Sequence, residues 1–260
     1  MKPQILLTFD LEEFDLPSEY GIRITGEEQI NISVVGLKNI TGILSEYNLQ
    51  ATFFTTSFFA CRQQEIIKNL SGSHEIASHS KSHSGFIESD PAESKAEIER
   101  ITGKPVRGFR MPRFAKIDPA ILRSAGYDYD SSVNPAFIPG RYNNLFIQRK
   151  IHRDNISGLV VVPVSVTPLL RFPLFWLSFK NIPLPVYTRM CRRTLRSDSY
   201  LHLYFHPWEF AELGSIKIPG YLKTPSGSML AERLRKLISQ LSNEGEFSTI
   251  SGFLRNSGLL

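Results

Sequence analysis

The sequence predicts an α/β fold in which the strands of a parallel sheet alternate with helices. Residues 5–9, 51–56 and 74–79 have the length and composition of strands, and segments of helical length separate them. This alternation is typical of parallel α/β folds. Carboxylates and histidines follow the first and the third strand, and parallel barrels carry their catalytic residues at the carboxyl ends of the strands.

The first strand–helix–strand unit follows from local patterns. The first strand is a short apolar run, residues 5–9, that ends in acidic residues. Apolar positions at helical spacing over residues 30–47 predict a helix, with Asn31 or Ser33 as its cap. The second strand, residues 51–56, is rich in β-branched and aromatic residues.

The same signals continue through the rest of the chain, where proline opens helices and glycine ends them. No internal repeat or linker interrupts the pattern, so we expect one domain over residues 1–260. The remaining predicted helices cover residues 62–70, 91–101, 118–126, 186–196 and 230–241. The remaining predicted strands cover residues 74–79, 158–166, 200–206 and 246–250, and residues 106–114 and 127–133 are each predicted as a strand followed by a loop.

The composition is that of a globular protein and excludes several classes. A chain of 260 residues that is 42% hydrophobic and 21% charged is large enough for one domain with a substantial core. The net charge of +5 is mild, and without a zinc finger or a long basic tract we expect no nucleic-acid partner. Two cysteines, Cys61 and Cys191, make no disulfide framework and favour a reducing compartment.

No stretch of the sequence predicts a membrane span or a signal peptide. The first apolar run reaches Asp10 too early, and Arg171 and Pro173 interrupt the most apolar later segment, whereas a span needs about 20 apolar residues. We therefore expect a cytoplasmic protein. The aromatic segment 168–185 leaves three alternatives open: core or lid packing, stacking on carbohydrate, and peripheral contact with the inner face of a membrane.

Two histidines four residues apart are the main chemical signal. His79 and His83 follow the third strand, and their imidazoles can share one metal ion. A catalytic metal site usually adds a carboxylate and leaves a position open for water. The nearest carboxylates are Asp10, Glu12 and Glu13, which follow the first strand.

Two later segments carry further candidates. Arg110 lies before Pro112 in a constrained loop and can orient a carboxylate, although solvation is the simpler interpretation of a single arginine. His206 is a third histidine at a strand end. His74 and His202 lack such a position, and we expect them to be structural.

Five motifs in a fixed order carry a resemblance to a known family. They are Thr8-Phe9-Asp10, His79-Ser80-Lys81-Ser82-His83, Arg110-Met111-Pro112, Asp130-Ser131-Ser132 and Tyr204-Phe205-His206-Pro207. Together they resemble the polysaccharide deacetylases of carbohydrate esterase family 4, the NodB-homology domain, over about residues 5–250. The sequence Phe-His-Pro-Trp-Glu is similar to the branch found with bacterial exopolysaccharide gene clusters.

The resemblance implies a deformed (β/α) barrel of about seven parallel strands and a role for each motif. In the family, one acid is the general base, an arginine holds it, a late histidine is the general acid, and a further acid supports that histidine. These roles fall here on Asp10, Arg110, His206 and Asp130, and the metal-binding pair falls on His79 and His83.

Two positions depart from the family pattern. Leu11 stands where the common motif has a metal-binding aspartate, so Glu12 is the expected third ligand and Glu13 the fallback. Arg113 stands where the family often has tyrosine; it keeps a backbone donor for the oxyanion but changes the pocket.

The predicted function is metal-dependent removal of N-acetyl groups from an amino-sugar glycan, or from a lipid- or nucleotide-linked precursor. Zn²⁺ suits two imidazoles and a carboxylate best, and such a metal lowers the pKa of bound water toward roughly 7. Arg113, Phe114 and Trp208 are expected to contact the carbohydrate. A hydrolase of cyclic amides, similar to allantoinases or imidases, and an inactive glycan-binding protein are the alternatives, and the oligomeric state stays open.

Overall fold

The structure is a computed structural model that describes residues 2–260, and its strands lie in two sheets. Two of the strands, β6 and β7, form a separate antiparallel hairpin. In chain order the strands are β1 (Gln4–Leu11), β2 (Thr52–Thr55), β3 (Glu75–Ser78), β4 (Gly108–Phe109), β5 (Tyr129–Asp130), β6 (Phe137–Ile138), β7 (Tyr142–Asn143), β8 (His152–Arg153), β9 (Val160–Val161), β10 (Tyr200–Phe205) and β11 (Glu246–Ser248).

The other nine strands form one curled sheet, a half-barrel, in the order β10-β1-β2-β3-β4-β5-β9-β8, with β11 also paired to β1. Every pair is parallel except β8 with β9. Just after β9, the backbone N–H of Ser165 donates to the carbonyl of His202 in β10 at 2.9 Å, so the two ends of the curl touch. This confirms the predicted α/β fold with a deformed barrel, in which the path from β10 to β9 contains seven parallel strands.

Helices cover the outside of the sheet. Among the helices of residues 2–260, none has both the length and the hydropathy that a bilayer crossing requires. Short 3₁₀ helices cover Leu16–Tyr20, Pro112–Phe114 and Pro207–Phe210, and the α-helices are α1 (Gly26–Glu46), α2 (Ser57–Arg62), α3 (Gln64–Ser73), α4 (Asp90–Thr102), α5 (Pro119–Ser124), α6 (Trp176–Asn181), α7 (Leu184–Asp198), α8 (Gly220–Lys223), α9 (Gly227–Leu241) and α10 (Ile250–Asn256).

The central strand β1 divides its side chains between two layers. Leu6 belongs to a cluster inside the barrel with Phe54 and Tyr129. Because successive residues of a strand face opposite sides, Thr8 and Asp10 share this inner face. The alternate residues belong to the large core under the helices; they are Ile5, Leu7, Phe9 and Leu11.

The first helix begins earlier than the sequence predicted. Thr25 is the cap of α1, and its Oγ1 accepts a hydrogen bond from the backbone N–H of Glu28 at 3.1 Å. The predicted caps, Asn31 and Ser33, lie inside the helix. The prediction followed the first apolar residue of the pattern, whereas the first helical turn is polar and exposed.

Two predicted strands are shorter than expected. The strand predicted over residues 158–166 is reduced to β9, because Pro163 has no N–H with which to extend the ladder. The last predicted strand, residues 246–250, gives way to α10. Thr249 caps that helix, since its Oγ1 accepts a hydrogen bond from the N–H of Gly252 at 3.1 Å.

The aromatic segment 168–185 has a buried half and an exposed half. The buried half contains α6, where Phe179 is fully buried and its ring lies 5.0 Å from that of Phe205. Leu169 and Leu170 in the other half are 78% and 86% exposed. The sequence analysis predicted no helix at α6, and of the alternatives left open for this segment, core packing accounts for the buried half.

Candidate active site

Glu12, His79 and His83, the predicted metal ligands, meet at the carboxyl ends of β1 and β3. One donor atom from each of them lies within 4.8 Å of the others. Glu12 Oε2 is 3.1 Å from His79 Nε2 and 3.4 Å from His83 Nε2. Leu11 faces the core under the helices instead, so in this chain the carboxylate on the site's side of the strand comes from residue 12.

The opposite nitrogen of each histidine is fixed by an acceptor. His79 Nδ1 lies 2.8 Å from the carbonyl oxygen of Arg110, and His83 Nδ1 lies 2.7 Å from Asp15 Oδ1. Because a carbonyl can only accept, Nδ1 of His79 carries a proton, and Nε2 is the nitrogen directed at Glu12, where a cation can take the place of a shared proton. Histidines that bind metals are typically oriented in this way.

The charges of this group favour a positive charge beside the Glu12 carboxylate. Burial acts to raise the pKa of Glu12, but His83, His79 and His206 outweigh it and lower the pKa to about 2. Burial acts to lower the pKa of His83, whereas Glu12 and Asp15 raise it to about 9. Two imidazole nitrogens and a carboxylate oxygen directed at one point therefore fit a divalent cation such as Zn²⁺.

Glu13, the predicted fallback ligand, has a different position. Its Oε1 accepts a hydrogen bond from the backbone N–H of His83 at 2.7 Å, and its Oε2 accepts one from Thr56 Oγ1 at 2.9 Å. Both carboxylate oxygens are thus used to hold the histidine loop against β2. This corrects the fallback assignment, since Glu12 supplies the carboxylate of the group.

The Asp10 carboxylate is held by Arg110, as the family pattern implies. Arg110 is fully buried and donates to Asp10 Oδ1 at 2.5 Å. Its guanidinium also donates to Ser131 Oγ at 3.0 Å and to His202 Nε2 at 2.9 Å. Burial, together with the charge of Arg110, lowers the pKa of His202 well below its usual value, so that ring stays neutral and packs in the barrel.

His206 lies on the other side of the cavity and is held by Glu209. Its Nδ1 is 3.0 Å from Glu209 Oε1, and its ring stacks on Trp208 with 4.9 Å between centroids. Burial acts to lower the pKa of His206, but the hydrogen bond with Glu209 and the charge of Glu12 outweigh it and raise the pKa. Glu209 is itself paired with the buried Lys180 of α6 at 3.2 Å.

Asp130 does not occupy the position that the family pattern implies. Its Oδ1 accepts hydrogen bonds from the N–H of Ser132 at 2.9 Å and from the Ser132 hydroxyl. Burial raises the pKa of Asp130 to about 6. The carboxylate beside His206 is that of Glu209, which corrects the predicted partner of this histidine.

Arg113, Phe114 and Trp208, the residues predicted to contact substrate, all line the cavity. Arg113 and Phe114 both have left-handed backbone angles, with φ of 58° and 52°. Arg113 donates to Asp15 Oδ2 at 3.1 Å and pairs with Glu19 at 3.3 Å. Trp208 is 3% exposed, and its Nε1–H donates to Glu12 Oε1 at 3.2 Å, so it also orients the carboxylate.

The ligand group, Asp10 and His206 border one cavity of about 300 Å³. Its base is polar and its walls are largely aromatic. The aromatic wall residues are Tyr20, Phe114, Tyr142, Phe175, Trp176, Tyr204, Trp208 and Tyr221. A cavity of this size is at the small end of ligand pockets and suits one ring-sized group.

Sequence reasoning missed Asp15, Glu209 and Lys180. Glu209 carried a usable signal, because it stands three residues after His206 across a short turn that begins with proline. Asp15 lies in the irregular stretch after β1, where no periodicity indicates direction. Lys180 belongs to a helix that the sequence analysis did not predict.

The barrel and its Glu–His–His group define the class of protein as a hydrolase with a candidate metal site. A family model described as polysaccharide deacetylase matches residues 2–129, which carry this group together with Asp10 and Arg110. This match over residues 2–129 confirms the family resemblance that the motifs indicated. No curated protein sequence matches the chain.

Solved structures with the same fold extend over nearly the whole chain. An assigned polysaccharide deacetylase from Mycobacterium smegmatis is 20% identical with a TM-score of 0.65, covering 100% of this chain and 92% of its own. The Puue allantoinase is 13% identical with a TM-score of 0.67, covering 97% and 89%. A family 4 acetyl xylan esterase from Clostridium thermocellum, in complex with a cobalt ion, is 17% identical with a TM-score of 0.54, covering 98% and 92%. At these identities the likeness is one of fold.

Proposed function

We propose that this protein removes N-acetyl groups from an amino sugar in a glycan or a glycan precursor, with a divalent metal, best Zn²⁺, as cofactor. One observation carries the proposal: a ligand group, a held acid and a held histidine border the same cavity. The family resemblance supplies the reaction class. The exopolysaccharide branch, the cytoplasmic location and a single domain over residues 1–260 remain predictions.

The ligand group would be Glu12, His79 and His83. A divalent cation bound there polarises the acyl oxygen and lowers the pKa of water. The protein fixes the orientation of the two histidine ligands. Asp15 orients His83, and the carbonyl of Arg110 orients His79.

Asp10 and His206 would move the protons. Asp10, oriented by Arg110, accepts a proton from the attacking water. His206, whose pKa is raised by the hydrogen bond with Glu209, donates a proton to the nitrogen as the C–N bond breaks. Acetate and a free amine are the products, so every atom of the amide and the water is accounted for.

Acetate release with measured metal content tests the proposal. The purified protein loaded with zinc should release acetate from N-acetylated sugars, and His83→Ala should lose both the metal and the activity. His152→Ala is the matched control, because His152 lies in β8 and outside the cavity lining. If the zinc-loaded protein releases no acetate from any N-acetylated mono-, oligo- or lipid-linked sugar, the proposal is rejected.

A cyclic-amide hydrolase is the second candidate. It is favoured by the small cavity of about 300 Å³ and by the fold shared with an allantoinase. Ring opening of allantoin or of simple imides, without acetate release from any N-acetyl sugar, would select it. The inactive glycan-binding alternative is disfavoured, because Asp10, Arg110 and His206 all keep partners suited to catalysis.

We also infer peripheral contact with a membrane. Phe146, Leu169 and Leu170 are 95%, 78% and 86% exposed, and Arg171 joins their two loops by donating to the carbonyl of Ile147 at 2.6 Å. Exposed apolar side chains beside basic ones are typical of interfacial anchors. Sedimentation with anionic vesicles should fall in a Leu169→Ser/Leu170→Ser variant, and equal sedimentation of both proteins would reject the contact.

A further inference from the structure

Four segments stand around the cavity above the ligand group. They are the 3₁₀ helix Leu16–Tyr20, the hairpin of β6 and β7, the start of α6 and the short helix α8. Each of them contributes side chains to the cavity lining. Whether a polymer can lie across the site depends on whether neighbouring segments touch.

We call each contact between two neighbouring segments a seam. The first two seams close the side of the cavity next to Arg113. Glu19 of the 3₁₀ helix pairs with Arg141 of the hairpin turn at 2.9 Å. From the hairpin, Tyr142 packs on the cluster that also holds Phe175 at the start of α6. Charge pairing thus links the first and second segments, and aromatic packing links the second and third.

The other two seams close the opposite side. Lys180 Nζ donates to the carbonyl of Leu222 in α8 at 2.8 Å, and Asn181 Nδ2 donates to the carbonyl of Tyr221 at 2.9 Å. Leu222 of α8 and Leu16 of the 3₁₀ helix pack in one apolar cluster, and Tyr221 and Tyr20 from the same two segments both line the cavity. The four segments therefore form a continuous ring of contacts.

From this ring we propose that the site accepts a terminal or single N-acetyl sugar and excludes sugars inside a polysaccharide chain. The inference rests on the proposed deacetylase function. An internal sugar is joined to neighbours on two sides and needs two exits from the site, whereas a ring of walls leaves one mouth. A chain end, or a sugar on a lipid or nucleotide carrier, needs only that mouth.

The lining suits a single pyranose ring. Trp176 lines the cavity beside His206 and offers an aromatic surface on which the apolar face of a sugar can stack, whereas Trp208 is stacked between Phe14 and His206. The ligand group lies at the base together with Asp10. An acyl group directed to the base leaves the rest of the substrate in the mouth.

The number of chain ends provides the test. N-acetylglucosamine oligosaccharides of increasing length are supplied at one total concentration of N-acetyl groups, and acetate release is measured with the zinc-loaded protein. If only ends react, doubling the chain length halves the initial rate, and mass spectrometry finds the free amine at a terminal sugar. A rate independent of length, or free amines inside the chain, would overturn the inference.

Opening one seam sharpens the test. Tyr20 and Tyr221 are 41% and 53% exposed, so the Tyr20→Ala/Tyr221→Ala variant should fold, as circular dichroism will check. It should gain internal deacetylation, while the control Phe146→Ala, a truncation of an exposed aromatic outside the lining, should not. An unchanged product pattern in the folded double variant would overturn the inference.

Fluorescence separates this inference from the proposed function. Both tryptophans of the chain, Trp176 and Trp208, line the cavity, so their emission reports its occupancy. If no probe releases acetate, the proposed function fails, and titration with N-acetylglucosamine and its oligosaccharides decides the inference. Quenching that follows the concentration of chain ends supports it, and quenching that follows total sugar, or no quenching, overturns it.

Discussion

The two sides of the cavity use histidine in opposite ways. On the metal side, His79 donates Nδ1–H to a backbone carbonyl and directs Nε2 at Glu12, where a cation can bind both groups. On the acid side, His206 faces the carboxylate of Glu209, which raises the pKa of the ring. His83 on the metal side also faces a carboxylate, Asp15, through Nδ1, so the partner of Nδ1 does not distinguish the two roles. The comparison teaches that the metal side is set apart by the convergence of a second imidazole and a carboxylate on one point.

Removing a ligand should have the largest effect. His79→Ala deletes one of three donors and leaves Glu12 without its nearest neighbour, so bound zinc and deacetylase activity should both be lost. Elemental analysis and acetate release measure this. Full zinc occupancy in the variant would show that the metal side does not include His79.

Removing a proton carrier should cost less and leave the metal in place. Asp10→Asn and His206→Asn should each reduce kcat by about 10²–10⁴-fold, the usual contribution of general acid–base catalysis. Zinc content should stay that of the wild type. Loss of metal from either variant would mean that the two sides of the cavity are not separate.

Asp15 should affect affinity for the metal and not the chemistry. Asp15→Asn weakens the orientation of His83, and a change of this kind typically lowers metal affinity about 10–100-fold. Activity should return at high zinc concentration. A deficit that zinc cannot restore would place Asp15 in the chemistry itself.

Glu209 should change the pH profile more than the maximal rate. His206 acts as an acid below its folded pKa, and activity is lost as pH rises through that value. Glu209→Gln keeps a carbonyl acceptor but removes the negative charge that helps to raise this pKa, so the alkaline limb of kcat should move to lower pH. An unmoved limb would mean that another group sets it.

The smallest expected effect is on stability. In the metal-free protein the pKa of His83 rises from 6.5 to about 9, so its stabilising contribution is complete below pH 6.5 and is lost as pH rises toward 9. Zinc replaces the proton, and the difference in Tm between zinc-bound and metal-free protein should therefore widen over this range. A constant difference would contradict the assignment of His83 as a ligand.

The metal side could be predicted from the sequence because it depends on local order. Strand ends are visible as apolar runs, and parallel strands bring their carboxyl ends to one edge, which placed Glu12 near His79 and His83. The Arg110–Asp10 contact came only through the family resemblance. No local pattern shows that an arginine beyond β4 reaches across the barrel to β1.

The acid side could not be predicted because it depends on distant segments. Lys180 reaches Glu209 only after α6 packs on the barrel. The prolines around α6 interrupt the sequence pattern from which a helix would be predicted. Asp130 was assigned by motif order alone, whereas its oxygen is used by Ser132 two residues away. The order of motifs along the chain does not determine whether Asp130 or Glu209 lies beside the imidazole ring of His206.

The inward and outward alternation of β1 has a consequence for recognising distant relatives. A survey that scores motifs letter by letter would count Leu11 as a lost ligand and class this chain as inactive. Scoring by strand face instead would find the carboxylate one position later, at Glu12, and would keep such proteins among the candidate enzymes.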